Sequence, residues 1–148
     1  MPVFERDDTE TIISEFRRLA IQEGWKKKSK IYKEERKKFI GKAAVEDFEK
    51  EFGTNAGSLQ SWQSLCKRLE LLNDDDELPT SIKQCKAILK GVYVNLVDLV
   101  DARKANGTVN IFGSPKELSK YIKRTKKMFP REKAKSSPLL KQFLITVT

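Results

Sequence analysis

A chain of 148 residues has the length of one domain and buries enough surface to fold without a metal or a disulfide. Its residues are 39 % hydrophobic and 34 % charged, its net charge is +9, and it contains no histidine. The missing imidazole excludes Ser-His-Asp and Cys-His nucleophiles and every histidine-bearing zinc site, and two cysteines are too few for a Cys₄ site.

From the N-terminus, "MPVFERDDTE" carries acids where a secretory leader carries an apolar run, and no uncharged apolar stretch approaches the ~18 residues of a membrane span. An intracellular protein, nuclear or cytoplasmic, is expected. Asp7 with Glu10 forms an N-terminal capping pair for a first helix that carries Ile12, Ile13, Phe16, Leu19 and Ala20 and stops at Gly24. Ser29 caps a second helix that ends at Gly53. Its apolar stripe drifts between Tyr32, Phe39 and Ala43 on one side and Phe48 and Phe52 on another, which predicts a kink or break at Gly41.

Ser58 opens a third helix with Leu59, Trp62, Leu65, Cys66 and Leu69 inward, and the acidic loop "NDDDELPT" follows it. Ser81 and Gln84 form a further capping box, from which a fourth helix is predicted to run to about Lys104. Ile82, Cys85, Leu89, Val92, Leu96 and Leu99 step by three and four, and Ile88, Tyr93, Val97 and Val100 widen the stripe, as in a helix packed on from several sides. Taken alone, "VYVNLVDLV" also reads as a strand, but its continuity with that period favours helix. Cys66 and Cys85, set among apolar residues, read as small buried hydrophobes in a reducing compartment.

After "TVNIF", a short extended piece, "SPKE" places Ser114 as cap, Pro115 at the first helical position and Glu117 closing the box of a fifth helix. Residues 130–138 read as a basic linker. "LLKQFLITVT" then docks back on the body, as a short helix or as an edge strand beside residues 108–112. The fold class is therefore mainly α, a single helical domain over 1–148: a bundle of five to six helices around a central buried helix at about 81–104.

Charge is unevenly placed. Residues 24–42, which include "GWKKKSKIYKEERKK", carry +7 and residues 116–141 carry +8, leaving the rest of the chain at −6. On the fifth helix, at about 100° per residue, Lys116, Lys120, Lys123 and Lys127 share one side with Arg124 at its edge, opposite Leu118, Tyr121 and Ile122. Such a row repels itself, and an anionic partner offsets the repulsion. The candidate polyanion-binding residues are Lys26, Lys27, Lys28, Lys30, Lys116, Lys120, Lys123, Arg124 and Lys127. In the first segment Glu34 is placed to pair with Lys38, and Trp25 and Tyr32 among the lysines either stack bases or anchor the turn. Asp98 and Asp101 are placed to orient Arg103 or a lysine of another helix.

No catalytic, metal or cofactor-binding motif is present, and "GK" at Gly41-Lys42 lacks the rest of a phosphate loop. The stretches "EFGTNAGSLQSWQSLCKRL", "SIKQCKAIL", "VNLVDLVDAR" and "FPREKAK", from about Glu51 to Lys135, resemble a group of small, uncharacterised proteins predicted in fungal genomes. The resemblance implies an intracellular fungal origin and carries no activity. Two functions fit these observations. One is a non-enzymatic module that binds nucleic acid or chromatin through its basic helical faces. The other is an adaptor for an acidic protein partner, using a groove or the apolar C-terminal segment.

Overall fold

The computed structural model describes residues 4–72, 77–105 and 107–147, and there the chain is mainly helical, as its periodicity predicts. Among those residues lie seven α-helices, one 3₁₀ turn and one two-stranded sheet. The first helix, α1 (Ile12–Glu23), starts at Thr11, whose hydroxyl accepts the Ser14 N–H. Asp7 does not cap it. Its carboxylate instead accepts the N–H and hydroxyl of Thr9 in a turn ahead of the helix. Ser29, Ser58, Ser81 and Ser114 each accept the N–H three residues on, and so open α2 (Lys30–Phe52), α3 (Leu59–Arg68), α4 (Ile82–Leu89) and, beyond α5 (Leu96–Ala105), α6 (Pro115–Thr125).

The single helix expected over about 81–104 is instead two helices separated by a strand. After α4, Gly91 takes a left-handed φ of 78°, and Tyr93–Val94 form β1. Asn95 then caps α5, its side-chain oxygen accepting the Asp98 N–H at 3.1 Å. A glycine and an asparagine ten residues into a good helical period are thus enough to interrupt it. Residues Ile111–Phe112 form β2, but they pair antiparallel with β1, Tyr93 opposite Phe112 and Val94 opposite Ile111, and not with the C-terminal segment. That segment is a helix, α7 (Pro138–Thr146), with Leu139, Leu140 and Phe143 buried. The stretch expected to be a linker holds the 3₁₀ turn Arg131–Ala134, with Ala134 and Ser137 buried. Most of the acidic loop ahead of α4, Asn73 to Asp76, lies outside the described residues.

The hub is α2, which meets α1, α3, α5, α7 and the 3₁₀ turn. It runs unbroken through Gly41. Glycine costs a helix interior only about 1 kcal/mol, and here the bare backbone is covered by Pro130 and the stem of Lys133. Phe48 of α2 lies 5.0 Å from Phe52 and 5.8 Å from Phe143, inside a core that also contains Trp62, Leu65, Leu89, Leu99 and Leu139. Cys66 and Cys85 are free and buried, as expected of them. Burial pushes the Cys66 thiol up to about 12, so it stays protonated and inert.

One buried cluster is ionic. Arg6 bonds Glu15 of α1 at 2.7 Å and Asp47 of α2 at 2.9 Å, while Lys104 of α5 bonds Asp47 at 2.8 Å and lies 3.6 Å from Glu15. The Glu15 and Lys104 side chains are 0 % and 2 % exposed. Beside them the Asp101 carboxylate accepts the Ile12 N–H, at the start of α1, at 3.0 Å. Asp101 therefore orients a helix N-terminus, where a negative charge is favourable, and not the basic side chain expected for it. Periodicity places no charge in this core. Glu15 and Asp47 are nonetheless next to Phe16 and Phe48 on inward-facing turns, which is the signal that marks them.

Candidate polyanion-binding surface

The fifth predicted helix, α6, starts where its capping box predicts: the Ser114 hydroxyl accepts the Glu117 N–H at 3.2 Å, and the Glu117 carboxylate accepts the Gly113 N–H at 2.9 Å. No residue of α6 is fully buried. Leu118, Tyr121, Ile122 and Thr125 are half-buried, and Lys116, Lys120, Lys123 and Arg124 are exposed. The faces divide as the sequence predicts.

The helix ends at Thr125, because Lys126 takes a left-handed φ of 60°. Lys127 therefore leaves the lysine row. Its ammonium donates to Asp98 at 2.8 Å and to the Tyr121 hydroxyl at 3.3 Å, and Tyr121 donates to the other Asp98 oxygen at 2.5 Å. Burial and then the Asp98 bond push the Tyr121 phenol above its ordinary value. Burial alone would lower Lys127, but its bond to Asp98 outweighs that and raises it. Asp98 thus takes up the charge of Lys127, in the role expected of it toward a lysine of another segment.

Around the first basic segment, Lys26, Lys27, Lys28 and Lys30 are all exposed. The Lys26 carbonyl accepts the Ser29 N–H at 2.9 Å and hydroxyl at 2.6 Å, which fixes the turn that presents them. Glu34 lies 3.7 Å from Lys30 instead of pairing forward with Lys38, which bonds Glu35 at 3.4 Å. These exposed pairs contribute only a few tenths of a kcal/mol. Trp25 and Tyr32 face inward: their ring centroids are 6.2 Å and 5.0 Å from Phe16. They anchor the turn and α2 onto α1.

The two basic segments meet at Arg36. From α2 its guanidinium donates to the carbonyls of Lys126 at 2.8 Å and Thr125 at 3.3 Å. The last carbonyls of a helix have no partner within it and carry its negative end, so a guanidinium there closes the terminus. Exposed Lys33 and Lys37 flank Arg36, exposed Lys126 adjoins the junction, and one turn past Lys37 the stem of Lys133 lies over Gly41. Arg36, Lys33, Lys37, Lys126 and Lys133 are absent from the set read from the sequence. The junction joins positions 90 apart in the chain, and no local pattern signals it.

The apolar C-terminal segment lies inside the protein, with Leu140 and Phe143 both 0 % exposed. Those two side chains belong to the core and present nothing to a partner. Among the described residues no helix is long and apolar enough to cross a membrane. No family model matches the chain, and neither a curated protein nor a solved structure matches it.

Proposed function

We propose that this protein is a non-enzymatic intracellular module that binds a polyanion, nucleic acid or chromatin, along the joined basic surfaces of α2 and α6. The observation that carries this reading is the Arg36 clamp, which fixes the open end of the lysine-bearing helix against the lysine-bearing half of α2. Without it the two segments would be separate charged faces of the kind any basic protein has. With it, Lys33, Lys37 and Lys126 lie at the junction between the Lys26–Lys30 turn and the row of Lys116, Lys120, Lys123 and Arg124. Lysine predominates over arginine in both segments, and bidentate reading of guanine favours arginine. Binding is therefore led by phosphate and weakly selective for sequence.

The test is a fluorescence-anisotropy titration of labelled duplex and single-stranded DNA at two salt concentrations. Each phosphate contact on a duplex adds about −0.9 to the slope of log affinity against log salt. Changing Lys116, Lys120, Lys123 and Arg124 together to Glu flattens that slope and nearly abolishes binding, while thermal stability hardly moves, since exposed charges contribute little to folding. Arg36→Gln weakens binding although Arg36 itself is largely occupied by α6. Absence of wild-type binding at low salt, where phosphate contacts are strongest, would falsify the proposal.

A further inference from the structure

Away from that surface, α4 and α7 leave between them a depression of about 320 Å³ lined by Lys83, Lys86, Ala87, Lys90, Ile145 and Thr146. Lys83 and Lys86 lie one turn apart on α4, and Lys90 follows at its C-terminal cap. None of them forms an ion pair with another described residue. Lys86 is steadied by the buried Trp62, whose ring centroid lies 5.2 Å from its ammonium. Ile145 is 58 % exposed, on a helix whose Leu139, Leu140 and Phe143 are fully buried. The depression therefore sets three lysines that pair with no described carboxylate beside an exposed aliphatic side chain.

We propose that this depression docks an acidic, amphipathic peptide segment of a partner protein, with carboxylates on Lys83, Lys86 and Lys90 and an aliphatic side chain over Ala87 and Ile145. Charge complementarity selects an anion, and the apolar floor selects which kind. A phosphodiester backbone would satisfy the lysines but has no aliphatic group to cover Ile145. No aromatic side chain lines the depression on which an unpaired base would stack. A peptide that alternates acids with leucine supplies both, in the manner of a short segment laid into a shallow groove. This site shares no residue with the α2–α6 surface and does not depend on the proposal made for it.

The probe is a short fluorescein-labelled peptide of aspartate and glutamate with leucines one helical turn apart, together with a second peptide carrying serine in place of leucine. Anisotropy is read on the full chain at low salt. Lys83→Glu combined with Lys90→Glu is expected to weaken the leucine peptide about tenfold or more, as reversal of two exposed charges does. Ile145→Ser weakens it several-fold and leaves the serine peptide, already weak, unchanged. Both variants alter exposed side chains, and an unchanged thermal melt verifies that they fold. The α6 quadruple variant and an excess of unlabelled duplex DNA leave the peptide bound. Equal affinity for the two peptides, indifference to Ile145→Ser, displacement by duplex, or no binding to the wild type would each overturn the proposal.

Discussion

Helices α5 and α6 are of nearly equal length, 10 and 11 residues, and have opposite surroundings. In α5, Leu96, Val97, Leu99, Val100, Asp101 and Ala102 are all buried, and Lys104 closes an ionic cluster under α1. In α6 nothing is fully buried, and the helix is secured by its ends and one edge. Ser114 and Glu117 satisfy its first turn, Arg36 takes its last carbonyls, and Tyr121 bridges to Asp98 and packs 4.9 Å from Phe112. A helix held at its termini keeps its long face free. The first arrangement produces stability, and the second produces a rigid presentation of lysines at small cost to the core.

The contrast is broken most severely inside the α5 cluster. Lys104→Ala leaves Glu15 and Asp47 buried with Arg6 as their remaining basic partner. Removing one member of a buried pair costs about 3–5 kcal/mol, and urea denaturation should show a loss of that size. Lys120→Ala on α6 should change the same midpoint by nearly nothing. Similar losses at the two lysines would mean that the cluster is solvated and the contrast false.

A matched pair of leucines sharpens the comparison. Leu99→Ala empties a fully buried site and should cost about 2–5 kcal/mol, whereas half-buried Leu118→Ala on α6 should cost about 1 kcal/mol or less. Leu118 also tests whether α6 detaches as a unit. Its removal should accelerate amide exchange in α6 while α5 stays protected, and parallel acceleration in both helices would show that they open together.

A titration distinguishes the two regions more gently. Burial pushes Asp101 up to about 6, although the Ile12 N–H and Lys104 pull it the other way. Between aspartate's ordinary ~3.9 and that value, the folded protein holds a proton that the unfolded chain has released. Its contribution is therefore complete at low pH and is lost as pH rises through about 6. Asp7, held low by its bonds from Thr9, and Asp8, held low by Lys50, tilt stability in the opposite sense. The difference between proteins is thus the readout. Asp101→Asn keeps an oxygen for the Ile12 N–H and should gain on the order of 2 kcal/mol over wild type between pH 4 and pH 7. Parallel stability curves for the two proteins would place the proton elsewhere.

What the sequence discloses follows the range of the interaction. Caps at Ser29, Ser58, Ser81 and Ser114 are local and were readable from side-chain type alone, as was the division of α6 into a lysine face and an apolar face. The α4–β1–α5 interruption was also local, written in Gly91 and Asn95, but a continuous three-four period masks it. The partners of Arg36 and Lys104, and Asp47 as a partner of Arg6, lie far along the chain, and these charges look identical to those of solvated lysines and arginines nearby. Of the candidate residues, the four on α6 and the four at and before the start of α2 are exposed as expected, while Lys127 is drawn to Asp98 by a tertiary contact that no helical wheel contains.

The smallest expected effect probes how tightly the body closes on its hub. An ideal Cβ placed at Gly41 would meet Lys133 Cγ at 3.4 Å and Pro130 Cδ at 3.5 Å, which is ordinary van der Waals contact. The backbone there is already helical, so alanine introduces no strain and reduces the freedom of the unfolded chain. Gly41→Ala should therefore stabilise the protein by about 0.5–1 kcal/mol, the usual difference between the two residues in a helix interior. Ser119→Ala, at an exposed position of α6, provides the comparison: it changes propensity by a few tenths of a kcal/mol. A gain at both positions means that the space beside Pro130 and Lys133 accommodates one methyl group. A loss at Gly41 alone means that Pro130 and Lys133 are fixed against α2, and that the glycine is required for the close approach of the chain that follows α6.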